Sequence, residues 1–255
     1  MAIRSCNAFT GLSWRKNLIH IFFRPLLNVV ADVKLAPSLL AAEFTFGKKQ
    51  AANNVNLIHN AVDLSVYHYD SKARNQIRDE LGLKEKLVVG HIGRFTEQKN
   101  HHLLLQIYKK IKDRHENAAL VLVGNGELRE TICKQAECLG ISSSVFFLGI
   151  RRDVPQILSA MDVFVFPSFF EGMPNTVIEA QATGLPCILS DTITREADIT
   201  GLVEFIALDE DIEFWVDKTL SFVNVMRRDT KEDFIDQGYD MNTVAMEFIS
   251  LIINN

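Results

Sequence analysis

The second half of the chain alternates short apolar runs with segments in which apolar residues recur every three or four positions. Apolar runs predict buried strands, and the wider spacing predicts helices packed against them. Strands are predicted from residue 86 onward in KLVVGHIG, AALVLVG, SVFFLG, MDVFVFP, LPCILS and LVEFIAL. Helices are predicted over residues 100–114, 127–139, 154–159, 211–226 and 242–253. This alternation predicts an α/β fold with a parallel sheet covered by helices on both faces.

The first part of the chain is less regular. Its pattern predicts an amphipathic helix over 14–31 that bends or restarts at Pro25, a strand in ADVKLAPS and a helix ending at Gly47. The alternation over 53–62 predicts another strand, and 71–81 a short helix. These elements are too few to close a domain. Their apolar faces are expected to stay open unless something else covers them.

Composition narrows the class of protein. The chain has 255 residues, 47% of them apolar, which is enough for one large packed domain. Its net charge of -5 gives no reason to expect general binding to nucleic acid or to a bilayer. The cysteines form no Cys-x-x-Cys pair and are expected to be reduced thiols of a cytosolic protein: Cys6, Cys133, Cys138 and Cys187.

The segment FFEGMPNTVIEAQATG follows a predicted buried strand and carries the strongest functional signal. Glu171 and Glu179 flank a Gly-x-Pro turn, and Asn175 is expected to cap a helix that Gly184 ends. A strand, a tight loop and a helix N-terminus form a place where backbone N–H groups bind an anion. Two carboxylates beside such a place suggest a ligand with a phosphate end and a hydroxyl-rich end, such as a nucleotide sugar. The alternative is a pair of surface carboxylates.

Three other strand-end loops could contribute. In GHIGRFTEQKNH, Gly93 allows a turn, and Arg94 and Lys99 either hold a diphosphate or are solvated surface charges. GNGELR lacks the third glycine of the dinucleotide fingerprint and the Gly-Lys-Ser/Thr of a Walker loop, so it is a tight turn or a ligand contact. In FLGIRRDV the backbone could contact a base, and Asp153 is expected to be a helix N-cap.

Two adjacent histidines, His101 and His102, stand at a predicted helix start. Side by side, they point to different faces of the helix. They are expected to be exposed polar residues, and no metal site is predicted.

Taken in order, the motifs GRFTEQKN, GNGELR, FLGIRRDV and EGMPNTVIEAQATGLPCILSDT resemble the C-terminal domain of glycosyltransferase family four. Members of that family are retaining, nucleotide-sugar-dependent enzymes with two facing Rossmann-like domains. The two glutamates match the family's Glu, seven residues, Glu motif. The resemblance runs from about Asp32 to the C-terminus, and it is closest to bacterial capsular and exopolysaccharide transferases.

The resemblance implies a role for each motif residue. Arg94 and Lys99 would neutralise the departing diphosphate, and Glu171 would hold the transferred sugar. Glu179 would bind the ribose hydroxyls. The implied donor-binding set also includes the N–H groups that hold the phosphates and the loop that contacts the base: Gly93, Leu148, Gly149, Arg151, Gly172, Met173, Pro174, Asn175 and Thr176.

The resemblance also implies a domain plan. Residues 1–62 would be the remnant of an acceptor-side domain, 63–235 a Rossmann-like donor-binding domain, and 236–255 a C-terminal helix that returns towards the N-terminal part. Family members are usually longer at the N-terminus, so the donor half is expected to be intact and the acceptor half truncated.

The expected function is transfer of a sugar, from a UDP donor by preference, to a surface-polysaccharide or lipid-linked acceptor, without metal or other cofactor. The alternative is a non-catalytic nucleotide-sugar-binding remnant or subunit. A dinucleotide-dependent oxidoreductase is a weaker alternative, because the Gly-x-Gly-x-x-Gly fingerprint is absent. A cytoplasmic location is expected, with peripheral membrane contact or dimerisation through the N-terminal part left open.

Overall fold

A computed structural model describes residues 3–5, 14–223 and 225–253, with side chains from Ile19 onward. The N-terminal elements are β1 (Ile3–Ser5), α1 (Trp14–Val30), β2 (Val33–Ala36), α2 (Leu39–Phe46), α3 (Lys48–Asn53) and β3 (Asn56–Leu57). Strands β1, β2 and β3 pair in parallel in that order. The chain then leaves this small sheet and enters α4 (Ser71–Leu81).

A six-stranded parallel sheet forms the centre of the rest of the chain. Its strands are β4 (Leu87–Ile92), β5 (Ala118–Val123), β6 (Val145–Gly149), β7 (Val163–Phe166), β8 (Cys187–Ser190) and β9 (Val203–Ile206). They lie in the order β6-β5-β4-β7-β8-β9, all parallel. The order reverses between β4 and β7. In open parallel sheets, ligands bind beyond the carboxyl ends of the strands at such a reversal.

Helices cover both faces of this sheet. The helices between and after its strands are α5 (His101–Arg114), α6 (Arg129–Cys138), α7 (Val154–Ala160), α8 (Asn175–Ala182), α9 (Ile212–Phe222), α10 (Lys231–Asp236) and α11 (Met241–Ile253). Buried residues of α5, α6 and α9 form one core with the sheet, and those of α4, α7 and α8 form the other. The predicted parallel α/β sheet is therefore confirmed.

A charged cluster fixes α4 to the edge of β4 and the start of β7. Asp162 forms ion pairs with Arg74 and Arg78 at 2.6 and 2.7 Å, and it also accepts a hydrogen bond from the backbone N–H of Val88 at 2.8 Å. Arg78 is almost fully buried, so its charge depends on this carboxylate. The cluster therefore locks the helix that follows the connecting segment onto the six-stranded sheet.

The C-terminal helices lie beside the segment that joins the two sheets. The Val62 N–H donates to the Tyr239 carbonyl at 2.9 Å, and Val62 forms a β-bridge with Asp240. The His59 ring stacks on the Tyr239 ring with a centroid distance of 4.1 Å. Helix α11 and β3 together line a hollow on the surface. The connecting segment is thus held by the end of the chain.

One prediction for the first part of the chain was wrong. The strand expected over 53–62 is only Asn56–Leu57, because its partner β2 ends at Ala36 and the next residue, Pro37, has no N–H to donate. The helix expected to bend or restart at Pro25 does not restart there, because α1 continues through this proline to Val30.

Two further expectations concerned membrane-spanning segments and the cysteines. Among the described residues, no helix is long and apolar enough to cross a membrane. Cys133, Cys138 and Cys187 carry free thiols, and Cys6 lies outside the described residues.

Candidate active site

Two catalytic candidates that lie 72 positions apart in the chain form one ion pair. Lys99 follows β4, Glu171 follows β7, and these strands are neighbours at the reversal of the sheet. The Lys99 Nζ lies 2.6 Å from Glu171 Oε1, and the side chains are only 16% and 11% exposed. Gln98 Nε2 donates to the same Oε1 at 3.1 Å and to the Phe170 carbonyl at 2.9 Å. Oε2 accepts no hydrogen bond from the described residues, and it is available to a ligand hydroxyl.

The side chain of Lys99 lies against the Phe166 ring and close to Gly93. Its Nζ stands 4.5 Å from the centroid of the Phe166 ring, close enough for a cation–π contact. A Cβ on Gly93 would come within 3.4 Å of Lys99 Cδ and Cε, and within 3.0 Å of His91 Nε2. A side chain at position 93 would therefore press on the His91 ring and touch the stem of Lys99. Glycine leaves room for both side chains.

Arg94 is not part of the ion pair. Its side chain is 73% exposed and lies 3.4 Å from Glu127 Oε2. The structure thus brings together Lys99 and Glu171 and leaves Arg94 on the rim of the site. An exposed guanidinium with one weak partner can still reach a phosphate at the rim.

The start of α8 differs from its prediction. Asn175 is the first helical residue, not the cap, and Pro174 precedes it without a side-chain cap. The Asn175 Oδ1 instead accepts a hydrogen bond from Asn60 Nδ2 at 2.7 Å. The N–H groups of Asn175 and Thr176 have no acceptor among the described residues. Two free N–H groups at a helix N-terminus form an anion site.

Glu179 lies one turn further along α8 and is half-buried. Burial raises the pKa of Glu179, and a hydrogen bond from the Tyr67 hydroxyl partly opposes that shift. Burial, with the Glu179 charge nearby, raises the pKa of Tyr67 to about 12, so the phenol stays protonated at neutral pH. Sequence reasoning missed Tyr67. Its signal in the sequence was weak, because the segment between the two sheets contains two tyrosines, Tyr67 and Tyr69, and neither belongs to a motif.

The loop after β6 is held by charges. Gly149 has φ 67°, a left-handed conformation that favours glycine. The Arg151 guanidinium donates to Asp153 at 2.8 and 2.6 Å and lies 3.3 Å from Glu80, and these carboxylates raise the pKa of Arg151. Asp153 is the N-cap residue of α7, as predicted, but its carboxylate makes no cap hydrogen bond. Both oxygens of that carboxylate instead accept hydrogen bonds from the Arg151 guanidinium.

The glycines of GNGELR are explained by packing. Gly124 has φ 133°, and a Cβ there would lie 2.1 Å from the Gly93 carbonyl oxygen. A Cβ on Gly126 would lie 2.4 Å from the Phe95 carbonyl oxygen. This loop therefore supports the backbone that carries Arg94 and Lys99.

His101 is buried, so the prediction of an exposed residue was wrong. Helical spacing puts it on the same face as Leu104, Leu105 and Tyr108, which face the core. Its ring stacks on Phe95 at 4.2 Å. Burial, with Lys99 nearby, lowers the pKa of His101 to about 4. His102 is half-buried and hydrogen-bonded to Gln135. No cluster that could hold a metal ion occurs in the described part of the chain.

A cleft of about 170 Å³ opens between the β2–α2 wall and the start of α8. It is lined by residues of both parts of the chain: Pro37, Ala41, Asn60, Glu171, Gly172, Met173 and Asn175. A larger hollow of about 430 Å³ lies beside Asp63 and Asp240 and contains none of the motif residues. The smaller cleft holds the charged and amide groups that could bind a polar ligand, and it is the better candidate.

A parallel sheet with a lysine–glutamate pair and an uncapped helix start at its reversal is an arrangement that can bind a ligand carrying both an anionic group and hydroxyl groups. The family model of glycosyl transferases group 1 matches residues 73–240, and the chain belongs to this family. The resemblance to bacterial polysaccharide glycosyltransferases is confirmed.

Individual relatives support the same assignment. The putative glycosyltransferase EpsF of Bacillus subtilis (strain 168) is 35% identical over 251 residues, which are 96% of this chain and 64% of EpsF. The Escherichia coli UDP-Gal:alpha-D-GlcNAc-diphosphoundecaprenol alpha-1,3-galactosyltransferase is 36% identical over 54% of this chain and 36% of its own. The chain therefore spans less than two thirds of the length of these curated relatives.

A solved structure shares the fold. Anabaena Alr3699/HepE in complex with UDP-glucose superposes with a TM-score of 0.80 over 99% of this chain and 72% of that one, at 19% identity. At this identity the likeness concerns the fold.

Proposed function

We propose that this chain carries the donor site of a retaining glycosyltransferase that takes a sugar from UDP and transfers it to a polysaccharide or lipid-linked acceptor. The observation that carries the proposal is the Lys99–Glu171 pair, 2.6 Å apart, beside the uncapped start of α8. The UDP-glucose bound to HepE and the UDP-sugar named for the E. coli relative support a UDP donor.

Each part of the site has a task in this proposal. The diphosphate lies at the free N–H groups of Asn175 and Thr176, with Lys99 beside it and Arg94 at the rim. Glu179 accepts the ribose hydroxyls, and Glu171 Oε2 accepts a hydroxyl of the transferred sugar. The loop at Leu148 and Gly149 contacts the base.

The chemistry follows from charge. As the glycosidic bond to phosphate breaks, the sugar gains positive charge and the departing diphosphate gains negative charge. A fixed ammonium and backbone N–H groups stabilise the diphosphate as that charge develops, which lowers the barrier. Glu171 orients the anomeric carbon. Attack of the acceptor from the face that the diphosphate leaves gives retention. The cations and N–H groups serve the leaving group without a cofactor.

A second candidate is a chain that binds the nucleotide sugar and needs another polypeptide for the acceptor. The chain aligns with 64% of the length of EpsF, so acceptor binding by this chain is tested separately below. We place either form in the cytoplasm, which the free thiols of Cys133, Cys138 and Cys187 support.

Thermal unfolding with UDP, GDP, ADP and NAD in turn tests the donor site first. We expect UDP alone to raise the midpoint, since a ligand at a hundred times its dissociation constant stabilises the folded state by about 2.7 kcal/mol. A rise with NAD alone, or with none of the four, would contradict the proposal.

Sugar transfer to a polyprenyl-diphosphate acceptor tests the chemistry. We expect Glu171→Gln to keep the UDP-induced rise but to reduce transfer by about a hundredfold or more. Glu130→Gln is the matched control, because Glu130 is an exposed carboxylate paired with Lys134 and does not line the cleft. Transfer that is unchanged in Glu171→Gln rules out its catalytic role. UDP binding without transfer by the unaltered chain favours the second candidate.

A further inference from the structure

Asn60 lies in the segment that joins the two sheets, and it reaches the candidate active site from outside the recognised motifs. Its Nδ2 donates to Asn175 Oδ1 at 2.7 Å, across 115 positions of the chain. Both side chains line the cleft that also contains Glu171. Sequence reasoning assigned no role to Asn60.

The backbone on both sides of Asn60 is anchored. Its neighbour His59 stacks on Tyr239, and the Val62 N–H donates to the Tyr239 carbonyl. Asn60 therefore presents its amide to Asn175 from a fixed position. A contact made from a fixed position can orient its partner as well as touch it.

The hydrogen bond determines which end of the Asn175 amide faces the cleft. An asparagine side chain has one carbonyl oxygen and one nitrogen with two hydrogens. Asn60 occupies the oxygen, so the nitrogen is left as a donor. On the same cleft, Glu171 Oε1 is taken by Lys99 and Gln98, which leaves Oε2 as an acceptor. A donor and an acceptor that line the same cleft match a hydroxyl group, which can both accept and donate.

We propose that Asn60 is a positioning residue that orients Asn175, so that Asn175 Nδ2 and Glu171 Oε2 together bind one hydroxyl of the transferred sugar. The proposal deepens the proposed function and rests on it, since it presumes that the sugar lies in this cleft. It assigns the choice among sugars in part to a residue that lies outside the donor domain's own motifs.

A simple clamp between two segments is the competing explanation, and the two make different predictions. A clamp that holds the start of α8 affects every ligand bound there, so loss of it changes UDP and UDP-sugar binding alike. An oriented amide that binds a sugar hydroxyl affects only ligands that carry the sugar. The ratio of the two dissociation constants therefore separates them.

Asn60→Asp is the sharpest variant, because a carboxylate has the same shape but cannot donate. Asn175 then turns its nitrogen towards the introduced carboxylate, and its oxygen faces the cleft beside Glu171 Oε2, where two acceptors cannot share one hydroxyl proton. Asn60→Ala removes the contact without adding charge. Asn54→Asp is the matched control, since the Asn54 amide donates to the Gln50 side chain at 2.9 Å, on the surface and away from the cleft.

Calorimetric titrations with UDP, UDP-glucose, UDP-galactose and UDP-N-acetylglucosamine measure the effect. The comparison uses the UDP-sugar that the unaltered protein binds best. We expect Asn60→Asp to raise the ratio of its dissociation constant to the dissociation constant of UDP about tenfold. That is the effect of losing one hydrogen bond. We expect Asn60→Ala to raise the ratio about threefold and Asn54→Asp to leave it unchanged. The terminal phosphate of UDP ionises a second time at about pH 6, so UDP carries more negative charge than a UDP-sugar. Repulsion from the introduced carboxylate therefore weakens UDP binding more, which lowers the ratio and cannot produce the expected rise.

The outcomes separate the inference from the function on which it rests. If the unaltered protein does not bind UDP, the proposed function fails. If it binds UDP and the ratio is the same in both Asn60 variants, the inference is overturned and Asn60 is a clamp. If the unaltered protein binds each of the three UDP-sugars with the same affinity as UDP, the inference is also overturned. Unfolding midpoints close to that of the unaltered protein confirm that the variants are folded.

Discussion

Helix α5 beside the large sheet and helix α1 beside the small one face their neighbours in opposite ways. Leu104, Ile107 and Tyr108 of α5 are completely buried in the core. On the described part of α1, from Ile19 onward, most large apolar side chains are exposed, and Phe22 is 76% exposed. The inward face of α1 is polar. His20, Arg24 and Asn28 follow one another at four-residue spacing and bond to carbonyl oxygens of α2: those of Phe44 and Phe46.

The difference shows that an amphipathic pattern does not by itself say which face of a helix is inward. The last carbonyls of a helix have no partner within it, and polar side chains can satisfy them. In α1 these contacts replace the burial of apolar area that holds α5. The described part of the chain therefore gains stability mainly from the large sheet, and α1 is attached by small polar contributions.

Replacing one phenylalanine in each region should produce the largest contrast. Phe164 in β7 is fully buried between the two aromatic neighbours His91 and Phe166. We expect Phe164→Ala to lower the free energy of unfolding by about 3–5 kcal/mol, since it removes buried area and leaves a cavity. We expect Phe22→Ala to change it by less than about 0.5 kcal/mol, as for other exposed positions. Urea unfolding followed by circular dichroism measures both.

Equal losses in the two variants would mean that Phe22 is covered in solution, and the contrast between the regions would then be wrong. Repeating the measurement at two protein concentrations tests this, because a self-association that covers Phe22 makes the stability depend on concentration.

The regularity of the large sheet explains why its elements could be predicted from the sequence. Strands buried on both faces leave unbroken apolar runs, and helices between them leave a clear spacing. The pairing of Lys99 with Glu171 could not be predicted in the same way. Both were placed at strand ends, but only the strand order puts β4 beside β7 and joins residues 72 positions apart.

The errors have local causes. His101 was judged by its polarity, although its spacing from Leu104 and Leu105 put it on the inward face. Asn175 was judged by its preference for helix caps, but a partner 115 positions away occupies its side chain. The spacing of His101 was therefore a usable local signal, whereas the partner of Asn175 leaves no trace in the local sequence.

Acid should weaken the large-sheet region through its buried histidines. Unfolded His101 takes up a proton near pH 6.5, whereas burial lowers its pKa in the folded state to about 4. The contribution of His101 to the free energy of unfolding is therefore fully present above pH 6.5 and is lost as the pH falls towards 4. At pH 5 the loss from His101 is about 2 kcal/mol, one and a half pH units below 6.5 at 1.36 kcal/mol each. Burial lowers the pKa of His91 as well, so it adds to the loss.

Between pH 7.5 and pH 5, we expect the free energy of unfolding of His101→Phe to fall by about 2 kcal/mol less than that of the unaltered protein. Urea unfolding at both pH values measures the two changes. His115→Gln is the control, because His115 is exposed. Parallel pH curves for His101→Phe and the unaltered protein would show that His101 is protonated when folded, contrary to its burial.

The polar attachment of α1 should give the smallest effect. Arg24 Nη2 donates to the Phe44 carbonyl at 2.9 Å. Arg24→Met keeps most of the stem and removes the donors, and we expect a loss of about 1 kcal/mol, the net value of one hydrogen bond. Hydrogen exchange is the suitable measurement, since it reports each region separately. The amides of α1 and of the end of α2 should exchange about fivefold faster, while those of β4 and β5 stay unchanged.

Two results would contradict this account of α1. Unchanged exchange in α1 would mean that its apolar side, not Arg24, holds it, and that the polar face contributes nothing. Faster exchange in β4 as well would mean that α1 and the large sheet unfold together. Lys112→Met is the matched control, because Lys112 also donates to backbone carbonyls at the end of a helix, but in the large-sheet region. If the two regions are held by different forces, each variant should loosen its own region, because a hydrogen bond lost from one sheet leaves the packing of the other intact.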